Sequence, residues 1–328
     1  MWCSILGCLV TLTLSMLVTS LAAEAHQLTK VHRIGLLHGG SPLPQNLEAF
    51  QQGLHDLGYV DGQNLVIERR YAEGSAERLP NLAAELVRLQ VEVLVAGGHP
   101  ATRAAQQATS TIPIVMITGS DPVEQGFAAS LARPGGNITG QTGLSPELSA
   151  KRLEFLKETV PHLSRVAVLV NPANRPSGPE MENLTVASRA LGLHLHILEL
   201  RSPDELDHAF TAMTREGVEA LLVMPDALRS LGLHGRIAAL AATHRLPAMY
   251  PLKIFVEAGG LTSYAPSLPA TWQRAAYYVD RILKGAKPVD LPVEQPRKIE
   301  LVINPKTAQA LGITFPPTFL MQADEVLR

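Results

Sequence analysis

Six short loops carry the residues with most chemistry to offer. HGGSP (38–42), GGHPAT (97–102), GSDP (119–122), NPAN (171–174), PDAL (225–228) and the pair Tyr250-Pro251 each follow an apolar run. Their glycines, prolines and short polar side chains suit backbone-mediated contact with a small molecule. The second loop is the most specific. VEVLVA (91–96) stops at two glycines, and His99, Pro100 and a run of helix formers follow. Pro100 in a first helical turn forfeits no hydrogen bond, and the amides of Ala101 and Thr102 would face outward with the positive end of the helix dipole. That is an anion site, and the Thr102 hydroxyl would add a donor. Asp121 and Asp226 are single carboxylates at two different strand ends, each also a good turn former. His99 is expected to face the same space or to shape its turn. His194 and His196 alternate along one strand and share a face, with ordinary surface residues the first reading.

The signatures of familiar chemistries do not occur. The chain holds no phosphate-binding or dinucleotide glycine motif, no nucleophile elbow and no H-E-x-x-H, and no cofactor or metal is expected. A cleft hydrolase using His99 and Asp121 is the enzymatic alternative. A sensory ligand-binding module is a third.

The elements that position these loops follow a repeating plan. Strands are expected at 33–38, 64–72, 91–96, 113–118 and 137–143. Helices lie between them, around 46–58, at 76–89, after Pro100 and near 123–132. In the first helix Leu47, Phe50, Leu54 and Leu57 share a face. The plan restarts with helix 147–159 and strands 165–171, 193–200, 219–225, 247–252 and 260–265, with helices 178–191, 204–215 and 233–244 among them. Short apolar strands alternating with helices give parallel sheets covered on both faces. The fold class is therefore α/β, two doubly wound lobes joined by hinge strands. A helix at 270–284 with Trp272, Ala276, Val279 and Leu283 on one face, and a proline-rich link, then lead to strand 298–304 and helix 305–311. The expected division is 26–143 with about 266–295 in a first lobe, and 144–265 with about 296–328 in a second. In open α/β sheets ligands bind beyond the carboxyl ends of the strands, so the six loops are expected to share a cleft.

Composition bounds the partners. The net charge is −2 and aromatics make up 5% of 328 residues, so nothing favours nucleic acid or an anionic membrane surface. Residues 5–23 are apolar and end at Ala23-Glu24-Ala25, a small-x-small cleavage site, although no Lys or Arg precedes them. A signal peptide cleaved near Ala25 is expected, with a retained anchor as the alternative. Both cysteines, Cys3 and Cys8, lie in that leader, so the exported chain would rely on its apolar cores.

FQQGLHDLGYVDGQNLVIERRYAEG, IPIVMITGSDPVEQGFAASLARPGGNITG, RVAVLVNP and PVEQPRKIELVINPKTAQALGI resemble the ABC-transporter substrate-binding proteins of the tryptophan/tyrosine-type family, over roughly 31–328. The resemblance implies a type I periplasmic-binding fold with three crossovers and a ligand held between the lobes. It implies a small-molecule ligand, an amino acid or other carboxylate, and a periplasmic monomer that meets the membrane through an ABC permease and its ATPase. Carried over by position, the ligand loops fall on Gly40 and Ser41, on Pro100, Ala101 and Thr102, and on Ser120, Asp121 and Pro122. In the second lobe they fall on Asn171, Asp226 and Tyr250, with Tyr264 near the hinge. This chain departs from the family pattern in having His99 before Pro100 and APSL after Tyr264.

Overall fold

The computed structural model describes residues 30–40, 44–119, 121–143, 146–172, 178–225 and 233–327. Two sheets organise them. The first holds β1 (His32–His38), β2 (Leu65–Tyr71), β3 (Val93–Gly97), β4 (Ile114–Thr118) and β5 (Ile138–Thr142), in the order β2-β1-β3-β4-β5, every pair parallel. Helices α1 (Pro44–Asp56) and α9 (Leu268–Leu283) cover one face; α2 (Leu79–Arg88) and α3 (His99–Ala108) cover the other. Val93 and Val95 enter one core, Leu94 and Ala96 the other, which is why β3 reads as an unbroken apolar run. The close packing of α1 on α9 depends on Gly53, where a Cβ would lie 2.8 Å from the Gln273 carbonyl oxygen and 2.9 Å from the Ala276 Cβ.

The second sheet runs β12-β11-β10-β9-β8-β6-β7. Its strands are β6 (Arg165–Val170), β7 (His194–Glu199), β8 (Ala220–Val223), β9 (Ala248–Tyr250), β10 (Thr262–Pro266), β11 (Ile299–Ile303) and β12 (Glu325–Val326). Helices α6 (Leu206–Arg215), α7 (His234–Thr243) and α8 (Lys253–Glu257) pack on one face. On the other lie α4 (Pro146–Thr159), α5 (Gly178–Ala190), α10 (Pro305–Leu311) and α11 (Pro317–Gln322). β11 pairs antiparallel with β10, a departure from the all-parallel expectation.

Three passages of chain between the sheets fix how they face each other. β5 leaves the first sheet at its carboxyl end and α4 begins four residues later. Because α4 leads back to the start of β6, its own start lies at the carboxyl end of the second sheet. β10, parallel to β9, ends at Pro266, and α9 starts at Leu268, beside the carboxyl end of β1. The third passage runs along β5, where Thr142 N–H donates to Glu294 O and Glu294 N–H to Gly140 O, each at 3.0 Å, before entering β11. All three join carboxyl end to carboxyl end, so the strand-end loops of both sheets border one inter-lobe space.

Several expectations are corrected. No helix forms near 123–132: Asp121 Oδ1 accepts from the amides of Val123 (2.8 Å) and Glu124 (3.2 Å), and Gly126, at φ 68°, turns the chain away after one turn. Leu57 is exposed, because Gly58 at φ 90° ends the helix before its face reaches the core. The strand expected at 247–252 is shorter, and α8 follows it directly; α11 and β12 carried no periodicity long enough to be read from sequence.

Candidate functional site

At the carboxyl end of the first sheet, β1 delivers His38, whose ring lies over Gly97. A Cβ on residue 97 would come within 2.2 Å of His38 Cδ2, so glycine there leaves the room the imidazole occupies. His38 Nδ1 is 2.6 Å from the Gly40 carbonyl oxygen and 3.1 Å from the Gly40 nitrogen, tying the first loop to the end of its strand. Tyr71, the last residue of β2, stands opposite His38 in register. Trp272, in the second turn of α9, packs at 5.9 Å from His38 and 6.2 Å from Phe50, ring centre to ring centre. Asn46 lies one helical turn before Phe50 on α1, on the face turned toward α9.

Among the described residues, six buried side-chain polar atoms have no hydrogen-bond partner in the protein: Asn46 Oδ1, Tyr71 OH, Gln141 Oε1, Tyr250 OH, Ser263 Oγ and Trp272 Nε1. Their distribution is the informative point. Tyr71 and Tyr250 end their strands, Gln141 is next to last in β5, and Asn46 and Trp272 lie in early turns of helices that start at the same ends. Ser263 pairs in register with Tyr250. Each such atom costs about 1–3 kcal/mol relative to a hydrogen-bonded one, and folded chains carry few of them. Burial pushes the Tyr71 hydroxyl above its ordinary pKa and the Tyr250 hydroxyl well above it, so both stay protonated donors across the physiological range.

The loop at the start of α3 is organised differently from the sequence expectation. Thr102 is fully buried; its amide and its hydroxyl both donate to Gly98 O at 3.0 Å, so both are tied back within the first turn of their own helix and neither is a free donor to an anion. Ala101 is likewise buried in the core of the lobe. His99 Nε2 is 2.8 Å from Gln125 Oε1, and its ring lies 5.4 Å from that of Phe127. Arg103 donates to Gln125 O at 2.6 Å and stacks over Phe127, so the turn after β4 is clamped onto α3. Asp121 is held within that turn. His99 and Asp121 therefore serve separate local contacts and do not form a pair. Pro100 occupies the first turn of α3.

In the second lobe Asn171 follows β6 and is half-buried. Tyr250 points into the core beneath α6, α7 and α8, stacked on Phe255 at 4.9 Å, so its ring is packing and its hydroxyl is the polar group left unmet. Tyr264 packs edge-on against Phe155 at 5.0 Å on the opposite face. Ser41, Ser120 and Asp226 lie outside the described residues.

Sequence reasoning missed a buried charge network beside the second crossing. Arg152 on α4 is 2% exposed; its Nε donates to Tyr264 O at 2.7 Å and its Nη1 to Ser149 Oγ at 3.2 Å. Ser149 in turn donates to Glu180 Oε1. Burial pushes the Arg152 pKa down to about 10, opposed by the charge of Glu180. An arginine inside an amphipathic helix pattern looks like surface, and nothing in its spacing separates the two cases. The same holds for Asn46, Tyr71 and Gln141; Trp272 was legible as a core residue alone. His194 and His196 do not converge on a ligand set: His196 Nδ1 is 3.0 Å from Glu216, and no group of three or more His, Cys, Asp or Glu able to hold a metal occurs among the described residues. Nor, among them, is any helix long and apolar enough to cross a membrane.

Comparison with known proteins agrees with this architecture. Residues 38–327 match the model of the ABC transporter substrate binding protein family. A tyrosine-binding protein of Clostridioides difficile (strain R20291) is 26% identical over 269 residues, covering 81% of this chain and 76% of the relative. The ABC domain solved in complex with L-Trp from Streptococcus pneumonia superposes with a TM-score of 0.82 at 27% identity, over 91% of this chain and all of that one. A conserved domain protein of Vibrio cholerae gives 0.81 at 27%, with the same coverage. Two α/β lobes meeting at the carboxyl ends of their strands, with unmet polar atoms gathered there and a family match spanning both lobes, lead to one conclusion: the chain belongs to the ABC transporter substrate-binding proteins, with the type I periplasmic-binding fold.

Proposed function

We propose that this receptor binds an aromatic amino acid between its lobes and delivers it to an ABC permease and its ATPase. The observation that carries the reading is the gathering of buried, unpartnered polar atoms at facing strand ends. The binding of tyrosine and L-Trp by relatives supports the ligand class. The ligand carboxylate goes to the amino terminus of α3, where the first-turn amides and the helix dipole favour negative charge. Thr102 stabilises that turn through Gly98. The ligand ammonium goes to Asp226 from the second lobe. Gly40, Ser41, Ser120, Asn171 and the Tyr250 hydroxyl complete the polar wall, with Tyr264 at the hinge. The protein works as an exported monomer, its leader removed after Ala25, and it releases the ligand unchanged. The engagement of His99 with Gln125, and of Asp121 within its own turn, argues against a hydrolytic pair.

Mass spectrometry of whatever co-purifies, followed by calorimetry with L-tyrosine and L-tryptophan, tests the proposal. Stoichiometric binding with the amino acid recovered intact is the expected result. Consumption of the ligand, or failure of both amino acids to bind, sinks it.

A further inference from the structure

Asn46 Oδ1, Tyr71 OH and Trp272 Nε1 belong to three different elements, which meet around His38 and Phe50. Tyr71 is the register partner of His38, and Trp272 packs on that same imidazole. Phe50 packs edge-on against Trp272, and Asn46 is the residue one turn above Phe50 on the same helix face. Odd positions of β2 enter the core under α1 and α9, so Tyr71 shares that face with Asn46 and Trp272. Asn46 is 3% exposed and Trp272 1%. All three atoms are buried and without a partner in the protein.

Their chemistry is restrictive. An indole N–H only donates, an amide oxygen only accepts, and a phenol does either. None of the three carries a formal charge. A carboxylate placed among them would leave the Asn46 oxygen facing another acceptor, and an ammonium would leave the Trp272 N–H facing another donor. A hydroxyl satisfies both, because one oxygen accepts from Trp272 and donates to Asn46, with Tyr71 completing its shell.

We infer that Asn46, Tyr71 and Trp272 form a hydroxyl-reading subsite at the first-lobe end of the ligand cleft, and that this trio sets specificity among aromatic ligands. The inference rests on the aromatic amino-acid reading above and adds which residues discriminate. A site built to hydrogen-bond a hydroxyl disfavours the analogue lacking it, because its own buried groups are then left unmet.

The test uses L-tyrosine and L-phenylalanine, which differ by that one oxygen. Of the two tryptophans Trp2 lies in the leader, so in the mature chain Trp272 is the sole indole and reports its own surroundings. L-Tyrosine should bind more tightly than L-phenylalanine and should shift the Trp272 emission. Trp272→Phe and Tyr71→Phe keep the ring packing and remove one hydrogen-bonding group each. Each should reduce the tyrosine-to-phenylalanine affinity ratio by about tenfold, the equivalent of one hydrogen bond of about 1.4 kcal/mol. Equal affinity for the two amino acids in the parent, or an unchanged ratio in both variants, overturns the subsite and leaves the receptor reading standing. No binding of either amino acid overturns the ligand class and the subsite together.

Discussion

Arg152 shows how much a single buried side chain decides. Its guanidinium is withdrawn from water and answered by the Tyr264 carbonyl, Ser149 and, through Ser149, Glu180. Glu180 itself is 6% exposed. Removing one member of a buried charge pair leaves the other uncompensated in a low-dielectric surrounding, at a cost of about 3–5 kcal/mol, whereas removing both often costs little. Arg152→Met should therefore lower the unfolding free energy by about that amount, and Arg152→Met with Glu180→Gln should recover most of it. Urea unfolding of the parent, the single variant and the double variant measures this. A single variant within about 1 kcal/mol of the parent would show that the guanidinium is not answering a buried charge.

At the scale of elements, the third crossing is irregular chain that meets the edge of the first sheet at one residue. Glu294 makes a single parallel bridge to Gln141 of β5, and Arg274 on α9 grips it with two hydrogen bonds of 2.8 and 2.9 Å. That grip, chiefly the hydrogen bond from Arg274, holds the Glu294 carboxyl below its ordinary pKa. A lowered carboxylate pKa means the native state binds its proton later than the unfolded chain does. The linked stability is complete above the ordinary glutamate value and is lost as pH falls through the lowered one. Glu294→Gln should consequently be less stable than the parent at neutral pH, with the gap narrowing on acidification through that window. Denaturant unfolding across a pH series checks it. A gap that is constant with pH would assign the effect to packing of the crossing and not to its charge.

For the whole molecule, the three crossings act as a hinge. Each lobe carries its own cores, and of the short segments that pass between them the second is held by Arg152 at Tyr264 and the third by Arg274 at Glu294. A ligand touching both lobes shifts the population toward the closed arrangement by its differential affinity for that arrangement. Small-angle scattering should show a smaller radius of gyration when L-tyrosine is added at saturation. An unchanged radius alongside measured binding would mean that the ligand engages one lobe alone.

What the sequence determined by itself is the alternation of elements and where each loop falls. β3 could be read because a strand buried on both faces has to be apolar throughout. The helix 305–311 could be read because Asn304 caps it, accepting from the amides of Lys306 and Thr307, and Gly312 at φ 72° ends it. These are local constraints, written in residues a few positions apart. The tertiary structure alone decided which polar groups meet. Asn46, Tyr71 and Trp272 are separated by as many as 226 positions; the first two suit a surface or a core equally well, and the third was legible only as packing. Their convergence follows from the close approach of α1 and α9 at Gly53 and from the parallel register of β1 and β2. Thr102 makes the same point in reverse. Its position was legible, but the capture of its hydroxyl by the Gly98 carbonyl, which withholds that donor from an anionic ligand, depends on a backbone turn whose geometry, with Gly98 at φ 92°, exists only once the strand and helix have packed.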